Sequence, residues 1–290
     1  MIEITWRFDP ARHVDEQPPS TADEAADRLR AGNRGFAGLT SSIDANSSHV
    51  LPVSADDLGL GAVPGVAPKQ SPFAAILGCA DARVPLELVF LQSANSIFAV
   101  RVAGNVLGAE CVGSLDYAVN QLPSLRLLAV VGHTGCGAVG AAVDAYLDPT
   151  AYLALSANLP MRAIVDAIIP AVRGAARALR LAHGTDVVQR AGYRTALVDT
   201  CVVINSAVAA NAIHRMFAHQ LGEALSVALG VYDLVSRRVG LPAPPGSADP
   251  WQPGLVAAPL ESAFRDFVGV LVESPFLRTL LDTAPPSIDN

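Results

Sequence analysis

Two short apolar runs, Phe73–Leu77 and Leu127–Val131, each open directly onto residues that can do chemistry. The first leads into Gly78-Cys79-Ala80-Asp81-Ala82-Arg83, the second into Gly132-His133-Thr134-Gly135-Cys136-Gly137. Each run has the length and flanks of a strand buried on both faces of a parallel sheet. In open α/β sheets ligands bind beyond the carboxyl ends of the strands. Cys79, His133 and Cys136 are therefore expected to converge on one zinc ion, although more than fifty residues separate the first from the other two. Asp81 and Arg83 lie beside them in the extended loop.

The segments around these runs fit the same architecture. Val84 to Gln92 reads as a short helix and Ile97–Arg101 as a second strand. Gly108 to Leu122 reads as a helix, with Val112, Leu115, Val119 and Leu122 at helical spacing. Strand, helix, strand implies a parallel crossover. Ala138 to Leu147 continues as a helix whose first turn holds the second thiol, followed by helices Ala163–Leu181 and Val187–Leu221. Ala224 to Tyr232 reads as a strand, and Asp233 to Val239 as a turn into an edge strand. The expected fold is α/β: a mainly parallel central sheet of about four strands plus an antiparallel edge strand, with helices on both faces.

The ends of the chain are less regular. Residues 1–35 read as an N-terminal arm, anchored only by Trp6 and Phe8, and a helix from Thr21 that closes at Gly32. Residues 36–240 form the zinc-binding unit, with a long loop at 40–69 rich in Ser, Asp, Gly and Pro. Residues 241–290 read as a Pro- and Gly-rich linker, then a helical tail interrupted at Pro275.

Composition narrows the partners. With 290 residues and 51% apolar content the chain can bury a sizeable core. A net charge of −7 with few basic clusters argues against nucleic acid and anionic membrane, and for a small ligand. The start lacks a cationic region followed by an apolar core, so the cytoplasm is the expected location. The richest apolar segments are broken by Arg126, His133, Asp199 and Asn205, so none reads as a membrane span. Taken singly, Cys79 or Cys136 would more often be a core residue than a ligand. Their place with His133 at two strand ends tips the balance toward metal. Cys111 and Cys201 sit among apolar neighbours in helices and read as inert core thiols. His183, His214 and His219 have no matching ligand set, and the Gly104–Gly108 loop lacks the spacing and Lys of a phosphate cradle.

Cys79-x-Asp81-x-Arg83 with His133-x-x-Cys136 resembles the zinc site of the β-class carbonic anhydrases. Arg101-Val102-Ala103-Gly104-Asn105 resembles the family's second-strand motif. Ser114-Leu115-Asp116-Tyr117-Ala118-Val119 resembles its following helix, and Arg30-Ala31-Gly32-Asn33-Arg34-Gly35-Phe36 its N-terminal helix end. The resemblance spans Ala22 to Gly240. It implies Zn²⁺ as cofactor and reversible hydration of CO₂ to bicarbonate and a proton, by attack of zinc-bound hydroxide. It also implies a homodimer or homotetramer. In this reading Asp81 orients the nucleophile and Arg83 holds Asp81, while Gln70, Phe98, Ala103 and Tyr117 meet the substrate. No residue stands out as the proton shuttle.

The chain departs from the family at several places. Ala80 and Ala82 stand where serines are common, and the 40–69 loop is longer than usual. Ile76 stands where relatives with a second bicarbonate site carry a Trp, so no such site is expected. Two other readings share the motifs: a hydrolase of carbonyl sulfide or carbon disulfide, and a non-catalytic bicarbonate or CO₂ sensor. A closed zinc site and a mobile tail would mark the sensor, and Asp81 is a residue able to close the site. A purely structural zinc domain would normally supply a fourth Cys or His, which neither motif holds.

Overall fold

The structure, a computed structural model, describes residues 2–8, 17–41, 47–54, 58, 65–67, 69–155 and 157–283. In chain order the elements are β1 (Ile2–Phe8), α1 (Ala22–Ser41), β2 (Ser47–Val53), β3 (Ala74–Gly78), α2 (Leu86–Val89), β4 (Ile97–Arg101), α3 (Ala109–Gln121) and β5 (Leu127–His133). There follow α4 (Gly137–Leu147), α5 (Pro149–Ala154), α6 (Leu159–His183), α7 (Tyr193–Met216) and β6 (Ser226–Tyr232). The last are β7 (Val239–Pro242), β8 (Trp251–Pro253), β9 (Val256–Ala257), α8 (Glu261–Val272) and α9 (Pro275–Asp282).

The main sheet runs β4-β3-β5-β6-β7-β8, with β9 also paired to β6. β4, β3, β5 and β6 are parallel, as expected, and β7, β8 and β9 add antiparallel pairings where one edge strand was expected. β3 and β5 are buried along their whole length because helices cover both faces. Ala74, Ile76, Ala129 and Val131 pack under Ala25, Leu29 and Phe36 of α1 and Leu86 and Val89 of α2. Ala75, Leu77, Leu128 and Val130, the alternate residues, pack under α3, α4, α6 and α7. This period-two split is why both runs are apolar throughout. α7 is long and apolar enough to cross a membrane by length and composition, but 83% of its most apolar window is buried in the fold. It serves as a core helix against β5 and β6.

Several boundaries differ from the sequence reading. α1 does not close at Gly32 but runs to Ser41. Gly32 is there because a Cβ would fall 1.8 Å from the Phe90 carbonyl oxygen, so the helix can lie against that loop only without a side chain. The arm and the 40–69 loop are not all irregular: β1 and β2 pair in parallel, Ile2 beside Ser47 through Phe8 beside Val53. Residues 42–46, 55–57, 59–64 and 68 of that loop lie outside the described residues. The helix expected from Val187 begins instead at Tyr193, after a 3₁₀ turn at Thr185–Gln189. There Gly192 packs so closely on α9 that a Cβ would sit 1.8 Å from the Leu280 carbonyl oxygen. The supposed linker after Leu241 contains β8, whose Trp251 is buried and meets Phe276 of α9 edge to face at 5.2 Å. The tail is two helices, α8 and α9, broken before Pro275 as expected.

Candidate metal centre

β3 and β5 are neighbours in register, Gly78 beside Val131, so their carboxyl ends release Cys79 and His133 side by side. Cys136 follows at the N-cap of α4, one position before the helix rather than in its first turn. The donor atoms of Cys79, His133 and Cys136 all lie within 4.8 Å of one another, and all three residues are buried. The two sulfurs are 3.9 Å apart.

The imidazole is set by its neighbour. His133 Nδ1 lies 3.1 Å from the Thr134 carbonyl, which can only accept, so Nδ1 carries the proton. Nε2 is then a lone pair, buried and without a hydrogen-bond partner among the described residues. A buried imidazole that donates from one nitrogen and leaves the other unpartnered beside two thiols has the arrangement of a metal ligand. The thiols tell the same story. The Cys136 thiol donating toward Cys79 lowers the Cys79 pKa, and that contact together with burial raises the Cys136 pKa above the ordinary thiol range. Two adjacent buried thiolates need a cation to coexist.

A scaffold of backbone and side-chain contacts fixes the loops. Gly104 N–H donates to Cys79 Sγ at 3.4 Å, from a turn with φ +65° where a Cβ would meet Ile168 at 2.8 Å. Arg101, at the end of β4, donates from Nε to the Cys79 carbonyl at 3.0 Å and from Nη2 to the Asp81 carbonyl at 2.7 Å. Asp199 of α7 accepts from Gly135 N–H at 2.8 Å, and burial pushes its carboxyl pKa up to about 6. Thr134 Oγ1 donates to Asp233 at 3.0 Å, tying the His133 loop to the turn after β6.

Asp81 and Arg83 are joined as expected. Oδ1 accepts from Arg83 Nε at 2.9 Å and from its backbone N–H at 2.9 Å, and Oδ2 accepts from Nη2 at 2.7 Å. This fork holds the Asp81 carboxyl well below the usual carboxylate range. Asp81 Oδ2 is 3.7 Å from His133 Nε2, so the clamped carboxylate faces the donor cluster.

The family model described as carbonic anhydrase matches residues 74–236, more than half of the chain. The chain belongs to the β-class carbonic anhydrase family. It is 41% identical over 111 residues to "Carbonic anhydrase 2" of Mycobacterium tuberculosis, which covers 37% of this chain and 49% of that protein. It is 43% identical over 76 residues to the carbonic anhydrase of Mycolicibacterium smegmatis, covering 26% and 36%. The chain thus spans half or less of the length of the curated relatives it matches. Among solved structures it is similar to the Coccomyxa beta-carbonic anhydrase in complex with acetazolamide. That match has 23% identity and a TM-score of 0.47, covering 59% of this chain and 72% of that one.

Within the carbonic anhydrase segment, the structure gathers some of the expected site residues and not others. Cys79, His133, Cys136, Asp81 and Arg83 share one sheet edge, and Ala103 opens the turn whose Gly104 touches Cys79. Phe98 pairs in register with Ala75, four residues before Cys79, which places it about 13 Å down the strand. Tyr117 stacks on Phe98 with ring centroids 6.2 Å apart. Gln70 is exposed and precedes β3, at the opposite end of the strand from the thiol. Cys111 and Cys201 are buried free thiols outside the cluster. Sequence reasoning assigned no role to Arg101, Asp199 or Asn205. The last two were visible only as polar breaks in an apolar helix.

Proposed function

We propose that this chain catalyses the reversible hydration of CO₂ to bicarbonate with Zn²⁺ held by Cys79, His133 and Cys136. The observation that carries the reading is the buried, unpartnered His133 Nε2 between two sulfurs, faced by a carboxylate that Arg83 holds. Two sulfurs bound at 2.3 Å to one tetrahedral zinc lie about 3.8 Å apart, and Cys79 and Cys136 are at 3.9 Å. Two thiolates and an imidazole are also a usual zinc set that leaves a fourth position open. Zinc bound there supplies the Lewis acidity that ionises water at neutral pH.

The chain's own residues supply orientation. Asp81, kept ionised by Arg83, accepts a hydrogen bond from the attacking water and aims its lone pair at the carbon of CO₂. With the guanidinium occupying both carboxylate oxygens, Asp81 is held off the metal position, which favours the open, catalytic reading over the closed sensor. Burial of the donors excludes bulk water from the ligand side. Gln70, Phe98 and Tyr117 serve substrate from a second copy, since in their own chain they lie toward the other end of the strands. Gln70 and Tyr117 are exposed and able to do so. The active species is then a homodimer or homotetramer. The cytoplasm suits a chain whose four cysteines are all free thiols.

The test is stopped-flow CO₂ hydration on protein whose zinc content has been measured. Catalysis that scales with bound zinc, and falls at least ~100-fold in Arg83→Ala with the metal retained, supports the assignment. Full zinc with no hydration above background, or wild-type turnover in Arg83→Ala, defeats it.

A further inference from the structure

A separate cavity lies away from the candidate metal centre. A cavity of about 720 Å³ opens between α1, the turn after β6 and the end of β8, and no donor of the metal cluster lines it. Its wall carries four arginines: Arg30 and Arg34 from one face of α1, and Arg237 and Arg238 from the turn. No Asp or Glu is among its described lining residues, in a chain with 27 acidic and only 20 basic side chains. Arg30 and Arg238 are partly neutralised by Asp27 and Asp249, which lie outside the wall. Arg34 has no ion pair among the described residues.

Two further observations describe how the wall is built. Of the buried polar side-chain atoms without a partner among the described residues, two belong to this wall: Arg30 Nε and Ser236 Oγ. Both lie just beneath the accessible wall, not on it. The wall is also rigidly assembled. Asn33 is buried and donates to the Val89 and Arg237 carbonyls at 3.1 Å each, while accepting from Val239 N–H at 2.7 Å. One amide thus fixes helix, turn and strand edge together.

We propose that this cavity binds a small organic polyanion, a molecule carrying two or more phosphate or carboxylate groups. Forked guanidinium donors match both oxyanions. The volume is in the range of organic ligands, roughly 300–1,000 Å³, and far exceeds a single inorganic ion.

Isothermal titration calorimetry on the full, metal-loaded chain tests this, with fructose 1,6-bisphosphate and tricarballylate as probes. Saturable binding of either at one site per chain is expected. The probe that binds more tightly identifies the ligand as phosphorylated or carboxylic. Arg34→Ala should weaken binding at least about tenfold. Gly38→Glu should abolish it, because it places a carboxylate on the wall where no atom lies within 4 Å of the new Cβ. Arg34 is exposed, so that variant reads binding rather than folding. Arg173→Ala, on exposed α6 surface, should leave affinity unchanged. The proposal is overturned if neither probe binds, or if binding survives both Arg34→Ala and Gly38→Glu.

Discussion

Asn205, near the middle of α7, donates from Nδ2 to the Gly104 carbonyl at 2.9 Å, and the backbone N–H of Gly104 donates to Cys79 Sγ. A core helix therefore holds the turn that orients the Cys79 sulfur, a candidate metal donor. Asn205→Ala leaves a buried carbonyl unpaired, at a cost of about 1–3 kcal/mol. Denaturant unfolding should show that loss, and a chelator competition should show zinc held roughly tenfold less tightly. Unchanged zinc affinity with lowered stability would confine Asn205 to a structural part.

The four thiols should separate cleanly on metal content. Cys136→Ser replaces a thiolate with a hydroxyl, a far poorer zinc ligand, and bound zinc by elemental analysis should drop at least tenfold. Cys111→Ser and Cys201→Ser should keep their zinc, since both residues are buried outside the cluster.

Asp199 gives a pH signature. Its folded pKa is raised by burial to about 6, against an unfolded value near 3.9. The proton is therefore bound more tightly in the folded chain. Its favourable contribution is fully present below pH ~4 and is lost as pH rises through about 6. Relative to wild type, Asp199→Asn should gain stability between pH ~4 and ~6 and hold that gain above. Urea melts of the apoprotein at several pH values check this without interference from metal release. A constant difference across the range would contradict it.

The convergence of the candidate metal donors was legible because they follow two uniformly apolar strands, a pattern that survives without tertiary information. α3 was legible from its spacing, whereas α5 was not read at all and the bounds of α1 and α7 were misplaced. β1 and β2 were not: their parallel pairing joins segments some forty-five residues apart, and Pro52 and Ser48 spoil any strand pattern in the second. β8 hid among prolines because edge strands tolerate them. Gly32 signalled a helix end when its cause was contact with Phe90, and no local rule distinguishes the two. Phe98 and Tyr117 found each other, but their distance from Cys79 depends on register along a strand, which motif matching ignores.

Gly32→Ala tests that close approach. The new Cβ would need Phe90 or α1 to move, so unfolding by denaturant should show about 2–3 kcal/mol of destabilisation, although alanine is the better helix former. A neutral or stabilising change would mean that α1 can lift from the loop without cost.

The N-terminal strand should matter to assembly more than to folding. Trp6 and Phe8 are exposed on a two-stranded ribbon, whereas Ala25 and Leu29 of α1 are fully buried on the sheet. Deleting residues 1–8 should leave the fold intact and lower the mass seen by light scattering. Removal of residues 1–35 would strip α1 from the core and unfold the chain. An unchanged mass without β1 would assign the oligomer contact elsewhere.

The spacing of Cys79 and Cys136 also sets how the chain ages. A disulfide is about 2.05 Å long, so the two sulfurs need to close by less than the width of one atom for a two-electron oxidant to bridge them. The bridge would span the two central strands and leave His133 as a lone donor, unable to hold an ion. Zinc bound there would thus act as a chemical guard as well as a cofactor: apoprotein kept in air should become refractory to zinc, and a thiol reductant should restore it.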